Sequence, residues 1–403
     1  MSNARRLIRY PEERALEDVT YGQRAVPTRI FPILLPVWPV TIRATVTERE
    51  AYELIDRHLE LGFATADLGT PDELANFFGL DVVVVDRAVR FLNAIGHLAS
   101  HAGRLVLTDI GQRSVQDNVR YVVSHQDRRT LYFDGFGSRP LPAAYYDTRT
   151  VTLLSGAKAI DAADSGEWPR FKMLYSMSGF RQEALTELAS NSQRAHFNLP
   201  ERIDNPELLE TADLVFLPMY VVRALQQGNR LRLFAYTQVG DQADQDITDL
   251  CEQTPDLTGV LEAEERICDA AFYSKACTWL REQGLSEHGP ERLDDGTWRI
   301  TLPGSSFGED SRLSLSKVGS FIVRANDILH VWCDDTEVRY RALLARADAY
   351  LSVRANPDRT STEERITRIA DQLALGTIDL PRLRQLAGQA GMKGLADQLG
   401  SLT

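Results

Sequence analysis

Thr70-Pro71-Asp72-Glu73-Leu74-Ala75, then Gly79-Leu80, then Asp81-Val82-Val83-Val84-Val85-Asp86-Arg87-Ala88-Val89-Arg90 form the most legible stretch of this 403-residue chain. Pro71 suits the first turn of a helix, where the missing N–H would have had no partner anyway. Gly79 and Leu80 supply a tight turn between that helix and the next. Val85, Val89 and Leu92 recur at four- and three-residue spacing, with Ala88 and Ile95 beside them, so a helix over 81–98 should bury that face. On the N-terminal side, Thr47-x-x-Glu50 reads as a capping box opening a helix over 47–61, with Ala51, Leu54, Ile55, His58 and Leu59 on one face. On the C-terminal side, Gly103-Arg104-Leu105-Val106-Leu107-Thr108 reads as a strand, and a short helix opens at Asp109.

Helix, helix, tight turn, helix, wing is the order of a winged helix-turn-helix, and on these residues the segment 47–120 resembles that superfamily. The resemblance implies that the second helix of the pair enters the major groove of double-stranded DNA and that the wing touches the backbone. The helix over 81–98 would then read bases. Arg87, Arg90 and Asn93 would supply the contacts, because their donors match guanine and adenine edges. Arg104 on the wing would meet phosphate. Val82, Val83 and Asp86 share that outer face, and between residues 51 and 120 six arginines stand against ten carboxylates, a net charge of -4. Like charge repels the phosphate backbone. Winged helices also serve as docking modules, so the same segment implies an alternative: a non-catalytic adaptor that meets protein through Val82, Val83 and Asp86.

The whole chain carries a net charge of -12, so any nucleic-acid contact must come from a local basic patch. Five lysines leave 40 arginines, a skew that reads as the codon usage of a GC-rich bacterium. Cys251, Cys268, Cys277 and Cys333 show no metal-ligand spacing and read as reduced thiols of a cytoplasmic protein. The first 24 residues lack an apolar signal core, and the most hydrophobic window, 30–42, holds Pro32, Pro36 and Pro39 and is too short to cross a bilayer.

Length and pattern predict an α+β multidomain chain. An arm and extended segment occupy 1–46, the winged helix-turn-helix 47–120, a central mixed α/β domain 121–355, and a small C-terminal helical module 361–403. Within the central domain, 213–223 and 231–237 form a hairpin across Gln227-Gly228-Asn229, and 257–283 forms one long helix. Strands are expected over 298–302, 313–323 and 328–333, a helix over 337–353, and a final capping pattern at Ser361-x-x-Glu364. Leu315-Ser316-Lys317 resembles the lysine strand of phospholipase D-like domains, but that family needs a histidine where Leu315 stands.

Other candidate chemistry is thin. Asp241, Asp244, Asp246 and Asp249 lack the register of a calcium loop and read as a solvated helix entry. His125 reads as a surface loop residue, and Gly135-Phe136-Gly137 as a turn. No catalytic residue, metal or cofactor is expected, and the chain reads more as a binding protein than as an enzyme. The leading expectation is a cytoplasmic DNA-binding regulator, or a subunit of a DNA-transacting complex, whose α+β domain meets a ligand or partner. A protein partner or homo-oligomer is compatible with it, and a membrane is not.

Overall fold

The computed structural model describes residues 7–66, 68–101, 103–165, 169–176, 178–200, 202–226, 230–268, 272–308, 310–324, 326–353 and 358–402; the side chains of 125, 126, 264–268 and 324 lie outside that description. The class is mixed α+β, with a large, mainly antiparallel sheet. Two compact units divide the chain, and neither is continuous in sequence: one holds Met1–Pro36, Thr148–Ser176 and Val215–Thr403, the other Val37–Asp147 and Met177–Leu214.

In the first unit the expected hairpin is present. Val215–Gln226 pairs antiparallel with Arg230–Tyr236, from Tyr220 opposite Tyr236 to Gln226 opposite Arg230; its expected turn, Gln227-Gly228-Asn229, lies outside the described residues. The stretch expected as one helix over 257–283 holds Pro255–Cys268 and Phe272–Glu282. A second sheet joins Glu291–Arg292, Trp298–Thr301, Asp327–Trp332 and Phe321–Arg324, with a parallel pairing of Trp298–Thr301 against Asp327–Trp332. The C-terminal helices Thr336–Ser352, Arg359–Gln372, Leu380–Gln389 and Lys393–Gly400 share one core with this sheet. Ile300, Val331, Leu343, Ile369, Leu383 and Leu399 meet in it.

Two expectations in this unit fail on local chemistry. Leu315–Lys317 is a 3-10 turn and not a strand, so the likeness to a lysine strand falls away. Ser361 does not cap the helix Arg359–Gln372; Asp358 does, its carboxylate accepting from Ser361 N–H at 2.9 Å. A carboxylate before the first turn satisfies the same orphan donor and adds favourable interaction with the helix dipole.

The second unit is built on the later part of one long strand, Val26–Glu50. It pairs antiparallel with Arg120–Asp134, from Val37 opposite Asp134 to Glu50 opposite Arg120, with a bulge between Ala44 and Val46. On its other side it pairs with Arg202–Thr211. Ile42, Ala44 and Val46 point inward and Arg43 outward, the alternation a half-buried strand requires. Thr47-x-x-Glu50 is therefore not a capping box: Thr47 sits opposite both Val123 and Arg202. The β-branched run Thr45-Val46-Thr47 favours the pleat, and two-sided pairing outweighs a cap contributing about 1 kcal/mol.

The helix starts instead at Leu54 and runs to Thr65. Leu54 and Ile55, expected to be inside, are exposed, while Leu59 is fully buried. Pro71–Phe78 follows, opened by a capping box in which Thr70 Oγ1 accepts from Glu73 N–H and the Glu73 carboxylate accepts from Thr70 N–H. Gly79 closes it at φ 63°, a left-handed conformation that costs any L side chain about 1 kcal/mol or more. Val82–Ala94 is next, then the hairpin Leu98–His101 with Arg104–Leu107, and then Asp109–Asp117. Leu59, Leu74, Val85, Val89 and Leu92 fill one small core under these elements. Each contributes about 1.5–3 kcal/mol by leaving water, more than the caps that frame the helices.

Candidate functional site

The helix Val82–Ala94 is set in place from both ends. Asp81 caps it, its carboxylate accepting from Val83 N–H at 2.8 Å, and Val85, Val89 and Leu92 lock its inner face. Everything else on it faces outward or lies at the edge of the core. Arg87, Arg90 and Asn93 stand at three-residue spacing and are exposed, as expected for a surface face. Arg90 pairs with Asp86 at 2.8 Å across one helical turn. Arg104 opens the second strand of the hairpin and lies 3.6 Å from Glu73, against Gly69, where an added Cβ would come 2.4 Å from Arg104 Nε. The backbone follows it, because Leu105 N–H donates to the Gly69 carbonyl at 2.8 Å.

Four of the six arginines in this segment are thus in ion pairs: Arg90, Arg104, Arg113 with Asp117, and Arg120 with Glu50 and Asp56. Arg57 and Arg87 have no ion pair among the described residues. Exposed pairs contribute only about 0–1 kcal/mol, so Arg90 could exchange Asp86 for a phosphate at small cost. The carboxylates would remain beside it. The local excess of negative charge, and not the pairing itself, opposes DNA.

The more informative feature is apolar. Phe77, Leu80, Val82, Val83 and Val84 are all exposed, Phe77 at 62% and Val83 at 72%. They fall at the end of one helix, the turn after it and the start of the next, with the exposed N-cap Asp81 among them. A recognition helix in the major groove reads bases with its N-terminal residues; the N-terminal end of Val82–Ala94 presents valine methyls in place of hydrogen-bond donors. The signal is visible in the chain. Of four consecutive valines, a helix packed on one side buries only one or two, and here only Val85 goes inside.

The same group of elements holds a charged network that sequence pattern does not reveal. Glu60 and His97 are fully buried, with His97 Nδ1 2.5 Å from Glu60 Oε1. The other ring nitrogen, Nε2, meets the Tyr121 carbonyl, and Tyr52 donates its hydroxyl to Glu60 Oε2. Both ring nitrogens face oxygen atoms, a setting that favours the doubly protonated imidazolium, in which both nitrogens donate. Burial pushes the His97 pKa down, but the Glu60 carboxylate and the Tyr121 carbonyl more than offset it, and the net shift is upward. Beside it Arg120 donates to Asp56 at 3.1 Å and to Glu50 at 2.5 Å, with its guanidinium 5.1 Å from the Phe91 ring centre. These charges tie the helix Leu54–Thr65, the hairpin and the strand Arg120–Asp134 together. Glu60, His97, Asp56 and Arg120 are buried, and Glu50 lies at the solvent edge of the group.

Elsewhere the weak candidates dissolve into structure. Asp244 caps the helix Gln245–Glu252, accepting from Ile247 N–H at 3.0 Å, and Asp241 pairs with Arg14 at 2.9 Å. Gly135-Phe136-Gly137 is a loop wrapped on Asp134, whose carboxylate accepts from the N–H groups of Phe136, Gly137 and Arg139. His125 is in the strand Arg120–Asp134 and not in a loop, and its side chain lies outside the described residues. Cys251 and Cys333 are buried and Cys277 is half-buried, all three as free thiols. Among the described residues no group of three or more His, Cys, Asp or Glu is placed to hold a metal, and no helix is long and apolar enough to cross a membrane. No protein-family model, curated protein or solved structure matches the chain.

Proposed function

We propose that residues 54–117 form a winged-helix docking module of a protein-binding adaptor. The occupant of its surface is a different protein that presents apolar anchors with a basic rim. The observation that carries this reading is the exposed run from Phe77 to Val84. Contiguous exposed apolar surface rimmed by charge is the mark of an interaction site. The charge selects the partner: with a net -4 between residues 51 and 120 and Asp81 within the run, a basic partner is attracted. A second copy of the same acidic chain would bring like charges together.

The competing reading is contact with double-stranded DNA through Arg87, Arg90, Asn93 and Arg104, and the outward position of Arg87 favours it most. Two labelled probes separate them: a mixed-sequence DNA duplex, and an amphipathic helical peptide of leucine and lysine. Docking predicts that the peptide binds, that Val83→Asp abolishes binding, and that Arg87→Glu leaves it intact or improves it. Duplex binding that falls steeply with salt and is lost in Arg87→Glu would overturn the reading in favour of DNA. Failure of the peptide to bind at low salt would overturn the proposed partner chemistry.

A further inference from the structure

In the first unit a cleft of about 280 Å³ opens beside the outer strand of the hairpin. One wall is the strand Arg230–Tyr236 together with Arg223 on its neighbour; the other is one face of the helix Pro255–Cys268, which contributes Thr258, Leu261 and Glu262 at three- and four-residue spacing. The wall is organised by Glu252. Its Oε1 accepts from Arg232 Nε at 2.5 Å and from the backbone N–H of Leu233 at 3.1 Å. One carboxylate therefore fixes a guanidinium and satisfies a donor of the strand. Arg223 is steadied by its own contact, Nε to Thr28 Oγ1 at 3.1 Å. Arg230 is an exposed part of the lining and makes no ion pair among the described residues.

Within the lining the Arg232–Glu252 pair is internally neutralised, which leaves Arg230 as the guanidinium available to a ligand. Leu231, half-exposed, and the buried Leu233 and Leu261 supply the aliphatic part of the lining. We infer that this cleft binds a small organic acid, one carboxylate carried on an aliphatic body. A guanidinium grips a carboxylate with two parallel hydrogen bonds. Glu262 on the facing helix repels a dianion, so a single negative charge is selected. The aliphatic floor is of the kind that small-ligand sites share: apolar walls and a few convergent polar groups. The cleft lies outside the segment on which the docking reading rests, so either can fail without the other.

Titration calorimetry of the full chain tests this with acetate, butyrate, hexanoate, inorganic phosphate and hexylamine as probes. Hexanoate should bind, and affinity should rise along the carboxylate series, by up to about fourfold for each methylene that becomes buried. Arg230→Glu should weaken hexanoate at least tenfold with the melting temperature unchanged, and Leu231→Ser should flatten the chain-length dependence. Hexylamine should not bind. The inference is overturned if no carboxylate binds at millimolar concentration, if Arg230→Glu binds hexanoate as the parent does, or if phosphate binds as tightly as hexanoate.

Discussion

Around Glu60 and His97 the chain buries charge, and from Phe77 to Val84 it exposes apolar bulk, although both features belong to the same small group of helices. Burying an ion pair is costly unless the geometry is good and the remaining polar atoms are satisfied. Here Tyr52, the Tyr121 carbonyl and the Glu60–His97 contact meet that condition. Exposing Phe77 and Val83 is costly in a different way, since it forgoes burial that the fold has the residues to exploit. The first departure holds the module together from inside. The second does nothing for the isolated fold, and the proposed docking role would give it a use.

The comparison breaks first at His97. His97→Ala should destabilise the protein by about 3–5 kcal/mol in denaturant titrations, because it leaves Glu60 buried and unpaired. Val83→Asp on the exposed run should change stability by no more than about 0.5 kcal/mol. Equal losses at the two positions would mean that the valine surface is covered within the chain and the contrast is false.

Gly111 sharpens the same contrast. A Cβ there would lie 2.4 Å from the His97 carbonyl oxygen, a backbone atom that cannot swing aside. Gly111→Ala should cost about 1–3 kcal/mol through displacement of the His97 backbone. Titration gives a smaller, directional test. The folded pKa of His97 is raised, so its contribution is fully present below the unfolded value of about 6.5 and is lost as pH rises through the folded pKa. The melting temperature should fall as pH climbs above about 6.5. That fall should shrink in the Glu60→Gln/His97→Gln double variant, which removes both charges together. At the small end, Arg104→Ala should lower stability by about 0–1 kcal/mol, the worth of an exposed pair with Glu73.

What the sequence disclosed, and what it hid, follows from which interactions are local. Val85, Val89 and Leu92 were legible because helical periodicity is a local property, and the α+β class and the hairpin of Val215–Gln226 with Arg230–Tyr236 were legible from apolar runs. The start of the first helix was not. Thr47-x-x-Glu50 has the pattern of a cap, but Thr47 is held by Val123 and Arg202, partners distant in the chain. His97 and Glu60 are 37 positions apart and look like ordinary surface residues until the fold joins them. The discontinuity of the two units is hidden for the same reason, because no local signal marks where a strand such as Val26–Glu50 passes from one to the other. On the candidate surface, the outward position of Arg87, Arg90 and Asn93 follows from helical periodicity, whereas the exposure of Phe77, Leu80 and Val84 does not.

The most direct test is fluorescence anisotropy of the labelled leucine–lysine peptide and of the labelled DNA duplex, in matched low-salt buffer, against the parent chain, Val83→Asp and Arg87→Glu. The account predicts saturable binding of the peptide to the parent and to Arg87→Glu, loss of that binding in Val83→Asp, and no saturation with the duplex. Saturable duplex binding that disappears in Arg87→Glu and survives Val83→Asp would contradict it.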